Sequence, residues 1–174
     1  MSFTTITSFT EVVLIKDSFL VFDIDETILK YEHISRTWWK EKFEYYYSIT
    51  NDYDKSNDLS LNDWKDYIHL SLPTHTDEEG FFDLIERSKE NGCKVVFVTA
   101  RHKEIENITH LHLKHLGIDN RNVYFTGREN KGVMIESILN GEHNNIIFID
   151  DMDHNLIDVK EHFGDKVTCY KFVI

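Results

Sequence analysis

Five short apolar segments recur along the chain, and they constrain its fold more than any other feature of the sequence. The segments comprise residues 19–22, 94–98, 122–125, 146–149 and 167–172. They are rich in β-branched and aromatic residues and show little polar alternation, which is typical of strands that are covered on both faces. We therefore expect buried β-strands rather than strands with one face in water.

Helical patterns lie between most of these segments. Apolar residues recur at helical spacing over residues 76–91, 103–116, 131–139 and 152–163, and a glycine or an Asn-Gly pair follows each pattern. Alternating strands and helices predict βαβ crossovers and hence a parallel sheet with helices on both faces. We expect an α/β fold, a Rossmann-like three-layer sandwich with a central parallel sheet.

Residues 31–75 interrupt this alternation and contain no convincing strand. Helices are expected over residues 35–48 and 60–70, joined by a polar turn at residues 50–58. Ser35 and Ser60 are the expected N-caps of these helices. The expected division is a core domain of residues 1–30 and 76–174 and a small helical insertion of residues 31–75.

Acidic residues follow two of the predicted strands. Asp23 and Asp25 come directly after the first segment, and Asp150 and Asp151 come directly after the fourth. Because ligands bind beyond the carboxyl ends of parallel strands, we expect these side chains at one sheet edge. An isolated Asp there is often only a helix N-cap, but clustered carboxylates repel unless they are protonated or bridged by a cation. An all-oxygen cluster suits Mg²⁺ rather than zinc.

The charge of the 174-residue chain disfavours one class of partner. Its 19 Lys and Arg residues against 31 Asp and Glu residues give a formal net charge of −12. An anionic surface repels nucleic-acid phosphates, so we expect no nucleic-acid partner. A small anionic substrate is compatible with this charge, since a bound cation inverts the local field.

Targeting and cysteine signals favour the cytoplasm. We see no leader segment with a basic region followed by an apolar one, and no apolar run of about 18 residues. We therefore expect a cytoplasmic protein with no membrane partner. Cys93 and Cys169 are too few for a disulfide framework and are expected to be buried and free.

Four motifs resemble those of the haloacid dehalogenase superfamily. Residues 22–29, Phe-Asp-Ile-Asp-Glu-Thr-Ile-Leu, resemble its first motif, an apolar pair followed by DxDxT. Residues 95–99 resemble the second, an apolar strand that ends in Thr or Ser. Lys131 resembles the lysine of the third motif, and residues 147–151 resemble the acidic fourth motif. The motifs occur in the family's order, and the layout is similar to that of small bacterial phosphatase-like members.

The resemblance implies roles for the residues of the first motif. Asp23 would be the nucleophile that forms an aspartyl-phosphate. Asp25 would protonate the leaving group and then activate water. Thr27 would orient Asp25. An acidic residue at position 25 suits phosphate esters, because their leaving group needs a proton, whereas the dehalogenases of the superfamily lack this residue.

The other motifs would bind the phosphoryl group and the metal. Thr99 and Ala100 would contact the phosphoryl oxygens, and Lys131 would neutralise charge between Asp23 and the phosphate. The implied ligands of Mg²⁺ are the side chains of Asp23 and Asp151 and the backbone carbonyl of Asp25. Asp150 would lie at or just outside this metal shell. Asn155 stands where many members carry a second acidic residue, so direct metal binding there is disfavoured.

The resulting hypothesis is a Mg²⁺-dependent phosphomonoesterase acting on a small phosphorylated metabolite, with residues 31–75 as a helical cap. A phosphotransferase or mutase of the same fold, a non-catalytic binding module and a phosphoprotein phosphatase are the alternatives. The sequence indicates neither the substrate nor the oligomeric state. The cap aromatics are expected mainly to pack between its helices, and any left over would contact substrate, with Trp39 and Tyr46 as candidates.

Several charged residues have a simpler interpretation. Arg101 and His102 follow the candidate phosphate-binding threonine, and Arg128 precedes Lys131. All three are candidates for substrate contact, but such charged loop residues are usually only solvated. His154 is expected at the surface. The histidines at positions 110, 112 and 115 are expected on a solvated helix face rather than in a zinc site.

Overall fold

The computed structural model describes residues 3–119, 121–141 and 145–174. The strands among these residues are β1 (Thr4–Ile6), β2 (Phe19–Phe22), β3 (Leu29–Lys30), β4 (Thr74–His75), β5 (Lys94–Thr99), β6 (Val123–Phe125), β7 (Ile146–Asp150) and β8 (Val167–Phe172). The helices are α1 (Arg36–Thr50), α2 (Tyr53–Leu70), α3 (Glu78–Glu90), α4 (Glu106–His115), α5 (Lys131–Leu139) and α6 (Asp153–Phe163). A 3₁₀ turn, Lys103–Ile105, precedes α4.

The main sheet is parallel throughout and has the strand order β1-β8-β7-β2-β5-β6. All five predicted strands lie in it, which confirms the expected parallel sheet. Strand β1 was not predicted, because Thr4–Ile6 is short and only Ile6 is buried. Since β2 lies between β5 and β7, its carboxyl end is at the middle of one sheet edge.

The core has one apolar layer on each face of the sheet. Along β2, Leu20 and Phe22 point into a layer that includes Phe81 of α3 and Leu113 of α4. Phe19 and Val21 point into the other layer, whose helical residues include Ile135 of α5 and Leu156 and Val159 of α6. The strands are thus covered on both faces, as the continuous apolar runs predict, and the three-layer sandwich is confirmed.

The two helices that follow β3 begin differently from one another. Helix α1 starts after Ser35, whose side chain accepts a hydrogen bond from the Trp38 amide, as expected of its N-cap. Helix α2 starts at Tyr53, so the predicted turn at residues 50–58 and the predicted cap at Ser60 are wrong. Asp52 is the actual cap, and its carboxylate accepts from the Lys55 amide at 3.0 Å. The first turns of α2 consist mainly of polar residues, so the sequence shows no apolar residues at helical spacing there.

A two-stranded antiparallel ribbon closes the base of residues 31–75. Leu29 of β3 pairs with His75 of β4, and Lys30 pairs with Thr74. The expectation of no strand in this region is therefore wrong at its last two residues, where the strand is too short to show a pattern. The ribbon brings the chain back beside its point of departure, so α1 and α2 are connected to the core next to β2.

Other expectations concern cysteines and membrane segments. Cys93 and Cys169 are free thiols; Cys169 is buried in β8, whereas Cys93 is only half-buried just before β5. Among the helices of the described residues, none has the length and apolar character needed to cross a membrane.

Candidate active site

Three carboxylates meet at the carboxyl edge of the sheet. Phe22 of β2 is in register with Ile149 of β7, so the residues after them emerge side by side. Carboxylate oxygens of Asp23, Asp150 and Asp151 lie within 4.8 Å of one another, and all three residues are buried. The parallel register thus brings together three of the four carboxylates predicted at this edge, and Asp25 does not belong to the group.

Lys131 enters this cluster from the first residue of α5. Its side chain is buried, and its Nζ donates to Asp150 Oδ2 at 2.7 Å and also to Asp23 Oδ1. Burial alone disfavours the ammonium charge, but Asp150 and Asp23 outweigh burial and raise the pKa of Lys131 above its usual value. A permanently charged lysine therefore lies against the candidate nucleophile.

The negative charge of the cluster exceeds what the neighbouring cations relieve. Burial raises the pKa of Asp23 well above its usual value, and Asp150 and Asp151 raise it further despite Lys131. Burial likewise raises the pKa of Asp151, although Arg36 opposes the shift. A set of oxygen donors with uncompensated negative charge fits a hard divalent cation such as Mg²⁺.

Asp150 has its hydrogen-bonding capacity taken up by protein donors. Its Oδ1 accepts from the Met152 amide at 2.8 Å, and its Oδ2 accepts from Lys131. The Asn155 amide nitrogen lies 3.1 and 3.0 Å from the two oxygens. Asp150 therefore holds Lys131 in place, and Asn155 contributes a donor that an acidic residue could not.

Thr27 contacts Asp23 rather than Asp25. Residues 24–28 form a tight turn, in which the Ile28 amide donates to the Ile24 carbonyl at 3.0 Å and Glu26 has a left-handed backbone with a φ of 60°. This turn brings Thr27 back toward Asp23, and the Thr27 hydroxyl donates to Asp23 Oδ2 at 3.0 Å. The expected contact with Asp25 is thus replaced by one with the candidate nucleophile.

Arg101 holds the Asp25 side chain. Its Nε and Nη2 donate to the two carboxylate oxygens at 2.8 and 2.7 Å, a bidentate pair. Arg101 is buried, with 3% of its surface exposed, so the expectation of a solvated loop residue is wrong. The pair could have been predicted from the position of Arg101, which follows the end of β5 by two residues and so lies at the sheet edge where the acidic residues gather.

The second motif lies at the end of β5. Thr99 is buried and its hydroxyl accepts from the Arg101 amide at 3.2 Å, while Ala100 is exposed at the cavity next to Asp23. The motif thus supports Arg101 as well as forming part of the sheet edge.

A cavity of about 370 Å³ opens beside Asp23 and Asp25. One wall belongs to the sheet edge and the other to the inserted helices, which contribute Trp39 of α1 and Trp64 of α2. The centres of the two indole rings lie 6.1 Å apart. Tyr46 does not line this cavity; its hydroxyl donates to Asp63 Oδ2 at 2.9 Å instead.

Arg36 and His154 are further residues of this site. Arg36, the first residue of α1, donates from Nε to Asp151 Oδ2 at 3.1 Å. Its position directly after an N-cap serine gave no hint of this contact. His154 is exposed, as expected of a surface residue, yet it also lines the cavity.

The histidine cluster is only partly solvated. His112 is buried, contrary to expectation, and its Nδ1 lies 2.8 Å from the Tyr31 hydroxyl. Among the described residues, no histidine belongs to a group that could hold a metal ion.

Comparison with known proteins agrees with this geometry. The chain matches the HAD superfamily, subfamily IIIB (Acid phosphatase), over residues 4–158, a range that contains every site residue described above. A comparison with curated proteins finds no match. Because the family match covers most of its length, the chain belongs to subfamily IIIB of the HAD superfamily, a family of acid phosphatases.

Proposed function

We propose that the chain is a Mg²⁺-dependent phosphatase that hydrolyses a small phosphate monoester through an aspartyl-phosphate on Asp23. The observation that carries this proposal is the placement of the buried Asp23 carboxylate. It lies between Lys131 and Thr27, and it borders a cavity that Asp25 also lines. Membership of an acid phosphatase family supports the phosphatase activity.

The proposed metal ligands are the carboxylates of Asp23 and Asp151 and the backbone carbonyl of Asp25. The uncompensated negative charge of the cluster supports this assignment. When bound, Mg²⁺ neutralises negative charge on the phosphoryl oxygens and on the attacking carboxylate. Asp150, whose oxygens are taken up by Lys131, Asn155 and a backbone amide, lies outside the proposed ligand set.

In the first step, a carboxylate oxygen of Asp23 attacks phosphorus and the bond to the leaving oxygen breaks. Thr27 and Lys131 hold the two oxygens of this carboxylate, which limits its rotation. Lys131 also reduces the repulsion between Asp23 and an anionic substrate. Thr99 and Ala100, at the same sheet edge, would contact the phosphoryl oxygens.

Asp25 transfers the proton in both steps of this scheme. Its protonated carboxyl group donates to the leaving oxygen, and the resulting carboxylate takes a proton from the water that hydrolyses the aspartyl-phosphate. The Asp25 side chain remains 32% exposed despite its contact with Arg101, so it is accessible from the cavity. Arg101 sets the direction of the carboxyl group.

The inserted helices are proposed to act as a cap that selects the substrate. Trp39 and Trp64 face the reacting groups across a cavity whose volume suits a small molecule. Indole rings favour a leaving group with a flat or apolar face. The net charge of −12 argues against nucleic acid as the substrate.

The proposal is tested by phosphate release from p-nitrophenyl phosphate. We expect turnover that requires Mg²⁺ and stops in excess chelator. Ca²⁺ should inhibit, because its higher coordination lets Asp23 bind through both oxygens and leaves none for attack. Full turnover in chelator would overturn the metal requirement, and transfer of phosphate to an acceptor other than water would identify a phosphotransferase instead.

A further inference from the structure

A series of buried polar side chains leads from Asp25 to His112 of α4. Nη2 of Arg101 donates to Asp25 Oδ1 at 2.7 Å and to the Tyr31 hydroxyl at 3.0 Å. The Tyr31 hydroxyl in turn lies 2.8 Å from His112 Nδ1. Tyr31 and His112 expose 6% and 1% of their surfaces, and the proposed chemistry uses neither of them.

The direction of the Arg101 hydrogen bonds is fixed. Arg101 only donates, so the Tyr31 oxygen accepts from it and the Tyr31 proton is left for another acceptor. His112 Nδ1 accepts this proton in the neutral tautomer that carries its hydrogen on Nε2. Burial and the Arg101 charge lower the pKa of His112 to about 4, so the ring is neutral at pH 7. One arrangement of protons therefore satisfies the whole series.

The rest of the Arg101 side chain is equally constrained. Nη1 donates to the Thr109 hydroxyl at 3.0 Å, and Thr109 donates to the Ile105 carbonyl at 2.9 Å. The guanidinium carbon also lies 5.3 Å from the Trp64 ring centre. Tyr31 follows β3 and His112 belongs to α4, so distant parts of the chain converge on this one side chain.

We infer that Tyr31 and His112 are positioning residues that hold Arg101, and through it the Asp25 carboxyl group, in the direction required for proton transfer. The inference rests on the proposed role of Asp25 as the acid. Proton transfer depends steeply on geometry, and a buried network loses order when one member lacks its partner. Tyr31 is among the residues that line the cavity and His112 is not, and hydrogen bonds connect both of them to Asp25 through Arg101.

The test compares two substrates of similar shape. Phenyl phosphate has the poorer leaving group and depends more on protonation by Asp25 than p-nitrophenyl phosphate does. Tyr31→Phe removes the hydroxyl and keeps the ring. His112→Leu and His112→Asn are similar in size, but only Asn retains an acceptor near the position of Nδ1. Thermal unfolding of each variant monitors its folded state.

We expect Tyr31→Phe and His112→Leu to reduce kcat for phenyl phosphate about fivefold more than for p-nitrophenyl phosphate, the effect of one lost hydrogen bond. His112→Asn should restore most of the wild-type ratio. A merely structural role would lower both activities equally. Equal losses in Tyr31→Phe would overturn the inference even if the His112 variants fail to fold.

The Asp25→Asn variant separates this inference from the proposed function. If Asp25→Asn loses more activity on phenyl phosphate but Tyr31→Phe does not, Asp25 is the acid and the positioning role is wrong. If Asp25→Asn reduces both activities equally, Asp25 is not the acid, and both the proposed mechanism and the inference fail.

Discussion

Nε of Arg36 donates to Oδ2 of Asp151 at 3.1 Å, so the first residue of an inserted helix contacts a carboxylate of the sheet edge. The Arg36 side chain is 53% exposed, whereas that of Asp151 is 7% exposed. The cation therefore reaches the cluster from solvent and binds a carboxylate that the proposed function assigns to the metal. Arg36 and a divalent cation would compete for the same negative charge.

We predict that Arg36→Gln tightens activation by Mg²⁺. Removing a half-exposed positive charge beside Asp151 should lower the Mg²⁺ concentration for half-maximal activity about two- to fivefold, the scale of a surface ion pair. Arg121→Gln, which removes an exposed ion pair with Asp119, is the matched control and should leave that concentration unchanged. If the half-maximal Mg²⁺ concentration falls in neither variant, or falls equally in both, Arg36 and Mg²⁺ do not compete.

Substrate selection is predicted to depend on Trp39. Trp39→Leu should raise the KM for phenyl phosphate about threefold or more, because an aromatic contact contributes about 0.5–1.5 kcal/mol. Tyr46→Phe serves as the control from the same helix, since Tyr46 bonds Asp63 and does not line the cavity. Equal KM values for Trp39→Leu and the wild type would show that the inserted helices are structural.

Acid stability is predicted to depend on His112. The pKa of His112 in the folded protein is about 4, below the usual 6.5. As the pH falls, this residue therefore binds a proton in the unfolded chain before it does so in the folded protein. The stability associated with neutral His112 is therefore full above pH 6.5 and is lost between pH 6.5 and 4. Between pH 7 and pH 4, the free energy of unfolding should fall by about 2–3 kcal/mol less in His112→Asn than in the wild type. Chemical denaturation at both pH values measures this; parallel losses would contradict it.

The sheet and its acidic edge could be predicted because both follow from local pattern. Continuous apolar runs identify strands that are buried on both faces, and parallel strands must present their carboxyl ends together. Asp23 and Asp151 therefore converge without any knowledge of side-chain packing. The three-residue β1 and the polar start of α2 carry no such periodic signal.

The partners of the site residues could not be predicted in the same way. Arg101 pairs with Asp25 across 76 positions of sequence, and Arg36 pairs with Asp151 across 115. Such pairs depend on side-chain direction and on how the inserted helices lie against the sheet. The contact of Thr27 with Asp23 depends on a tight turn at residues 24–28 with Glu26 in a left-handed conformation, which an isolated DxDxT motif does not reveal.

The central claim is that Asp23 carries the phosphoryl group during turnover. Rapid acid quenching during hydrolysis of p-nitrophenyl phosphate, followed by peptide mass spectrometry, tests it most directly. The account predicts one added phosphoryl group on the peptide that contains Asp23. A folded Asp23→Asn variant should show neither this adduct nor turnover. Sustained phosphate release by Asp23→Asn, or a phosphoryl group on another residue, would contradict the account.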